Sequence, residues 1–370
     1  MSMYDELCSF RNLHRAFKKA KENKRFSEGV GDFELNLEGE LLKLQKEIAG
    51  RTYSPRPLRR FSIRDPKTRV IHASHFRDRV VHHALCNIIQ PIFEKSFIYD
   101  SFANQTRKGT HKAVAGFDKF KRKVSENGRL IRNARYSNQV IGHILKCDIK
   151  HYFQEVDHEV LMDIISRRIK DDKVLWLIGA ILRANLTSGE DEICLAERNK
   201  MKACDGFPSR KGMPLGNLTS QFFANVYLNE LDYFVKHILR AEYYIRYVDD
   251  FVILHRSRCM LEFYKEQVDE FLKEILKIEL HADKTKIFPI YHGAPFLGFR
   301  VYYYHKLLKK SNIRHFRRRL EWLIQLYESG EISEQSLIAS VDGWLEYARY
   351  GDTWKMRKEV VEKVQHLLNQ

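Results

Sequence analysis

A chain of 370 residues is long enough to bury a full core and to hold two or three domains. Its formal net charge of +16 suits a polyanionic partner, nucleic acid first and a membrane surface second. No apolar run approaches the roughly 20 residues that cross a bilayer, and Met1 to Lys24 is charged rather than signal-like; both argue for a soluble, intracellular protein with no membrane partner.

The six cysteines, Cys8, Cys86, Cys147, Cys194, Cys204 and Cys259, show no C-x-x-C pairing, which argues against structural zinc or a disulfide framework. His72, His75, His82 and His83 sit among arginines and apolar residues at helical spacing, and lack the complete ligand set of a metal site.

Residues 1–57 read as an amphipathic helical extension. Phe10, Leu13 and Phe17, then Leu37, Leu41, Leu44 and Ile48, recur at helical spacing before Tyr53-Ser54-Pro55-Arg56-Pro57 breaks the pattern. From Leu58 to Ser74, alternating apolar and basic residues around Asp65-Pro66-Lys67-Thr68 predict a β-hairpin presenting Lys67 and Arg69. A helix follows from Phe76 to about Phe93, ending near Pro91. The stretches Ser101-Phe102-Ala103-Asn104 and Lys108-Gly109-Thr110-His111 then form a loop that opens onto a helix. Lys119 to Asn138 is strongly basic and turn-rich. Ile144-Leu145-Lys146-Cys147-Asp148 reads as a strand ending on a lone acid, with Tyr152 and Phe153 beyond it and a helix from about His158.

Residues 187–211 read as a polar insertion. Next, the glycine-bearing stretch Gly212-Met213-Pro214-Leu215-Gly216-Asn217 leads into a helix from Leu218 to about Leu239, with Asn217 as the expected N-cap. Gly216 allows another molecule to approach the backbone, yet no Gly-Lys-Ser/Thr follows, so this is not a Walker A loop. In Tyr243 to Leu254, two runs of aromatic and β-branched residues flank Asp249 and Asp250, which predicts two strands joined by an acidic turn. A helix from about Cys259 to Leu276 and two strand-and-turn units, His281–Ile287 and Pro295–Tyr302, come next. From Lys306 to Arg319 cations crowd a stretch without acids, while Phe316, Leu320, Leu323 and Tyr327 supply one apolar face. The remainder, through Trp344 and Trp354, reads as helical.

Three carboxylates at strand ends, Asp148, Asp249 and Asp250, stand out in an otherwise basic body. Adjacent acids on a half-buried hairpin repel and are costly to desolvate unless a cation neutralises them. Nucleotidyl transfer uses two Mg²⁺ ions about 4 Å apart, and Mg²⁺ binds hard oxygens while keeping waters and phosphates in its shell, so two or three carboxylates suffice.

These stretches resemble, in order, seven motifs of reverse transcriptases over residues 58–302. Arg69-Val70-Ile71 and the Ser101 to Thr110 stretch resemble the first finger motifs, and Asp148 with Tyr152-Phe153 motif A. Leu215-Gly216 to Gln221 resembles motif B, and Tyr247-Val248-Asp249-Asp250 the Tyr-x-Asp-Asp box of motif C. His281 to Lys286 is similar to motif D, and Phe296-Leu297-Gly298-Phe299 to the primer grip. The resemblance implies an α+β right-hand polymerase: an N-terminal helical extension over 1–57, fingers and a palm of antiparallel ferredoxin-like sheet packed on helices over 58–302, and a small helical thumb over 303–370.

Carried to this chain, the resemblance makes Asp148 and Asp249 ligands of both metals, with Asp250 assisting and Ile149 included in the metal-holding set; Mn²⁺ could substitute for Mg²⁺. Lys67 and Arg69 would contact the incoming triphosphate. Phe153 would gate against a 2′-hydroxyl, and Leu215, Gly216 and Gln221 would complete the dNTP site. Lys284, with Lys286 as rival, would be the motif D lysine. Phe296, Leu297 and Gly298 would hold the primer, and Lys309, Lys310, Arg314, Arg317 and Arg318 the duplex.

Where most reverse transcriptases resemble Gln-Gly followed by Ser-Pro in motif B, this chain has Leu215-Gly216 followed by Ser220-Gln221. That variant looks like the reverse transcriptases of diversity-generating retroelements, related to those of group II introns and retrons. Arg79 to Asn87, Phe222 to Tyr227 and Lys306 to Ser311 agree with it. The implied activity is copying of a template-repeat RNA into cDNA that is error-prone at template adenines, in the cytoplasm of a prokaryotic or phage-infected cell. The implied partners are template RNA, primer and cDNA, dNTPs, and a small basic helical-bundle accessory protein that forms an oligomer. No RNase H-like extension, maturase domain or endonuclease is expected. A reverse transcriptase of phage defence or of another prokaryotic retroelement is the alternative, ahead of a non-catalytic RNA-binding module or an RNA-templated RNA polymerase.

Overall fold

The computed structural model describes residues 2–24, 27, 29–63, 69–184 and 211–369. It divides into two compact units interleaved along the chain. The first is Met1–Asn104, Ile149–Arg240 and Gln267–His281; the second is Gln105–Asp148, Ala241–Glu266 and Ala282–Gln370.

The first unit is mainly helical because its sequence carries apolar stripes at helical spacing. Helices Met3–Cys8, Phe10–Lys21, Val30–Leu35 and Leu37–Ala49 bury Leu13, Phe17, Leu41, Leu44 and Ile48, and the Phe10–Lys21 helix packs along helix Phe76–Glu94. Ser2 and Asp5 form a reciprocal capping box at the start. Phe10, expected on the apolar face, is partly exposed and stacks on His14 instead. Helix Phe76–Glu94 contains Pro91 in its last turn and ends within a residue of the expected Phe93. A proline lacks one backbone donor, and near a helix end the packed apolar face on Ile89 and Phe93 offsets that loss.

The Tyr53 to Pro57 break is fixed by a buried charge cluster. The Tyr53 hydroxyl donates to Asp78 at 2.8 Å, the Arg56 amide donates to Asp78 at 3.0 Å, and Arg77 pairs with Glu47 and Asp78. Burial raises the Asp78 carboxyl, and these partners offset that cost. Strands β1 (Arg59–Ile63) and β2 (Arg69–Ala73) form the expected hairpin. Its turn, with Lys67, lies outside the described residues, as does most of the insertion expected at 187–211.

In the same unit, short helix Tyr152–Glu155 and helices His158–Ser166 and Asp172–Ala184 precede helix Leu218–Tyr233, which continues as a π-helical turn, Phe234–Ile238. Asn217 does not cap that helix with its side chain; its Oδ1 instead accepts the Ser74 amide at 3.1 Å. A cap side chain has one choice of partner, and here it ties the loop to the hairpin.

The second unit is built on a four-stranded antiparallel sheet of order β4-β5-β3-β6: β3 is His143–Asp148, β4 Tyr243–Tyr247, β5 Asp250–His255 and β6 Lys286–Pro289. The apolar run Phe251 to Leu254 is buried, as expected for a central strand covered on both faces. Helix Thr110–Val124 packs on β4 and β5. It takes up the first part of the basic stretch from Lys119, the rest being turns. Helix Arg258–Glu274 passes from this unit into the first.

A three-stranded sheet, β7 (Ala294–Phe296), β8 (Phe299–Val301) and β9 (Lys306–Leu308), follows. Lys306 to Leu308 is therefore a strand, and the basic helix begins at Lys310. Helices Lys310–Glu328, Glu334–Ala348 and Trp354–Leu368 share a small core of Phe316, Leu320, Leu323, Leu337, Val341 and Val364, with Phe316 stacked on Trp344 at 3.6 Å.

Candidate active site

The three acids meet through strand register. Asp148 ends β3 and lies directly opposite Asp250, which opens β5. Tyr247 pairs with Asp250, so the turn between β4 and β5 is the two residues Val248 and Asp249. The acidic turn thus carries Asp249 alone, one residue tighter than expected. Val248 has φ 56°, a left-handed conformation that a β-branched residue rarely adopts. Arg246, fully buried, holds it by donating from Nη1 to the Val248 carbonyl at 3.2 Å. The Thr110 hydroxyl donates to the Tyr247 hydroxyl at 3.3 Å.

Lysines neutralise two of the acids. Lys146 Nζ lies 3.1 Å from Asp250 Oδ2, and Lys284 Nζ 2.8 Å from Asp148 Oδ2. The other oxygen of Asp250, Oδ1, is buried with no partner. Desolvation pushes the Asp250 carboxyl up to about 6; Lys146 opposes the shift, and Asp249 and Asp148 add to it. Among the described residues no three His, Cys, Asp or Glu side chains form a ready-made metal cage. The donor chemistry nevertheless fits a hard divalent cation: carboxylate oxygens only, one of them buried and unsatisfied, on side chains whose charges raise one another's cost. Asp148, Asp249 and Asp250 are the side chains that would hold it. Ile149, named with the metal-holding set from the sequence, is buried and bridges to Leu280, and its aliphatic side chain supplies no ligand.

The remaining candidates fall in both units. In the first, Arg69 is exposed at the start of β2, and the same strand anchors the Leu215–Gly216 loop: the His72 amide donates to the Leu215 carbonyl at 3.2 Å. Gly216 has φ +113°, and a Cβ there would lie 2.8 Å from Ile71 Cγ2. Leu215 and Gln221 are half-buried, as is Phe153, whose carbonyl accepts the Met213 amide at 2.6 Å.

In the second unit, Phe296 and Phe299 pair across a two-residue turn in which Leu297 (φ 46°) and Gly298 (φ 88°) are both left-handed. The Tyr347 hydroxyl sits on Gly298, donating to its carbonyl at 3.4 Å and accepting from Asn312 at 3.0 Å. Lys309, Lys310, Arg314, Arg317 and Arg318 are all exposed, and none has an ion-pair partner among the described residues. Lys284 reaches an acid, whereas its rival Lys286 lies on β6 opposite Lys146.

Lys146, Arg246 and Thr110 were not singled out from the sequence. Lys146 was legible in principle, because strand side chains alternate and a lysine two residues before Asp148 must share its face. Arg246 reads as one more cation in a basic chain until its burial is known, and Thr110 is brought to Tyr247 only by tertiary packing.

Helices combined with an antiparallel sheet, and acids at the ends of its neighbouring strands, define an α+β protein consistent with the right-hand polymerases. The chain belongs to the reverse transcriptase family: residues 63–301, more than half of it, match the family model described as "Reverse transcriptase (RNA-dependent DNA polymerase)". Its enzyme class is RNA-directed DNA polymerase. Protein YkfC of Escherichia coli (strain K12) is 26% identical over 71% of this chain and 71% of its own length. The group II intron-encoded protein LtrA of Lactococcus lactis subsp. cremoris is 24% identical over 71% of this chain, which spans 50% of LtrA. Apo telomerase from Candida tropicalis aligns with a TM-score of 0.47 and 12% identity, covering 67% of this chain and 47% of the telomerase chain. No helix among the described residues is long and apolar enough to cross a membrane.

Proposed function

We propose that this chain extends a primer along an RNA template by two-metal nucleotidyl transfer at Asp148, Asp249 and Asp250, and that it serves a diversity-generating retroelement. The observation that carries the catalytic reading is the register pair Asp148–Asp250 with Asp249 in the adjoining turn, next to a buried carboxylate oxygen that lacks a partner. Reverse transcriptase domains generally use divalent metal ions, and the chemistry these supply when bound, Mg²⁺ or Mn²⁺ here, is activation of the 3′-hydroxyl and charge neutralisation at the triphosphate.

The chain's own residues do the rest. Asp148 and Asp249 hold the charge that assembles the site, and Asp250 assists. Arg69 and Lys67 bind the triphosphate, and Phe153 excludes a 2′-hydroxyl. Lys284, already at the acids, donates a proton to the leaving pyrophosphate. The turn Phe296-Leu297-Gly298 positions the primer, and the exposed cations from Lys309 to Arg318 bind duplex phosphates.

The retroelement assignment rests on Leu215, whose aliphatic side chain cannot hydrogen-bond a nucleotide as glutamine would, and a looser apolar wall tolerates mispairs opposite adenine. The accompanying partners are a template-repeat RNA and a small basic accessory oligomer, in the cytoplasm. Primer extension tests the catalytic roles: Asp148→Asn and Asp249→Asn should each lower synthesis by about a thousandfold or more, and Asp250→Asn by less. Equal losses at all three positions, or none at Asp148, would overturn this assignment of roles.

A further inference from the structure

We propose that Lys146 is a positioning residue, the resident counter-cation of Asp250: it fixes that carboxylate by one oxygen and reserves it from full metal ligation, so that cation affinity rests on Asp148 and Asp249. The inference rests on the catalytic reading above.

Four observations lead to it. Lys146 and Asp148 share a face of β3, and Asp250 lies opposite Asp148, so the lysine reaches the acid diagonally across the sheet, 3.1 Å from Oδ2. The pair is largely shielded, with Lys146 17% and Asp250 27% exposed, whereas the Lys284 that faces Asp148 is 50% exposed. Lys146 also stands directly opposite Lys286 in the β3–β6 pairing, a like-charge placement that costs stability unless an acid answers it. Finally, Asp250 Oδ1 is buried without a partner, so Lys146 takes one side of the carboxylate and leaves the other uncompensated.

The two lysines therefore play different parts. Lys284 is held by a single exposed pair and can leave Asp148 when a cation or a triphosphate competes, because exposed pairs are weak. Lys146, shielded and fixed at a strand position, stays. Asp250 thereby contributes charge to the site from a fixed position, with one oxygen committed to the protein.

Thermal unfolding of the full chain, stripped with chelator and titrated with Mg²⁺ alone, tests this without catalysis. Lys146→Met should lower the metal-free Tm by about 3–6 °C, since one partner of a shielded pair is lost. It should also lower the Mg²⁺ concentration that gives half of the thermal stabilisation, by roughly tenfold, because Asp250 is released to the ion. Lys146→Arg should keep both near the unmodified values. Adding Asp250→Asn to Lys146→Met should restore the metal-free Tm and abolish the tightened Mg²⁺ response, and this double variant decides the matter if the single variant fails to fold. An unchanged Mg²⁺ midpoint in Lys146→Met, or a double variant as unstable as the single one, would overturn the proposal and make Lys146 a packing residue only. Primer extension by the unmodified chain judges the catalytic reading separately: no synthesis would overturn that reading, whereas an unchanged Mg²⁺ midpoint in Lys146→Met overturns only this inference.

Discussion

At position 250 a carboxylate is held where its charged form is penalised, and that has a pH signature. With its folded pKa raised to about 6, Asp250 contributes stability that is complete below its ordinary range near 4 and is lost as pH rises through 6. His82 acts in the opposite sense. Burial lowers it to about 3, and its Nδ1 has no partner, so protonation of the unfolded chain removes stability as pH falls below about 6.5. His82→Leu should therefore reduce the acid-side loss of unfolding free energy by about 3 kcal/mol at pH 4.5, read from denaturant melts across pH. An acid limb identical to that of the unmodified protein would show that other groups set it; His83, lowered to about 4, is the nearest such group. On the proposed reading, Leu215→Gln should lower misincorporation opposite template adenine, read by sequencing the cDNA, and unchanged errors would overturn the role proposed for Leu215. The acids themselves were legible in sequence because charge in a strand pattern is anomalous. Lys146 shares the face of Asp148 by strand alternation, but its pairing with Asp250 follows only once the neighbours across the sheet are known.

Among the elements, two glycine turns carry residues proposed to bind nucleotide and primer. Gly216 (φ +113°) faces Ile71 of the β1–β2 hairpin, and Gly298 (φ +88°) would place a Cβ 2.5 Å from the Tyr347 hydroxyl. Gly298→Ala should cost about 1–3 kcal/mol from backbone strain and steric clash and raise the KM for primer, whereas Gly216→Ala should raise the KM for dNTP. Tm and steady-state kinetics check both, and a loss of Tm with neither KM changed would make the turns structural alone. Periodicity read most helices, the β1–β2 hairpin and the β4–β5 hairpin correctly, because apolar spacing follows directly from which face is buried. It failed where local rules compete with packing: Asn217 gives its side chain to Ser74, and Lys306 to Leu308 is drawn into a strand by pairing with β8.

At the level of the whole molecule, a net charge of +16 favours a polyanionic partner, and helix Lys310–Glu328 exposes Arg314, Arg317 and Arg318, the proposed duplex contacts. Charge reversal at Arg314, Arg317 and Arg318 should each reduce the salt slope of RNA–DNA duplex binding by roughly 0.7–0.9, without changing sequence preference. Fluorescence anisotropy across a salt series checks this, and an unchanged slope would move the duplex to another face. The central claim is that this chain copies RNA into DNA through its strand-end acids. Primer extension on an adenine-containing RNA template with Mg²⁺ and dNTPs, with the cDNA sequenced beside an Asp249→Asn control, tests it most directly. The account predicts cDNA from the unmodified chain with errors confined to template adenines, and none from the variant. Equal cDNA from both proteins would contradict it.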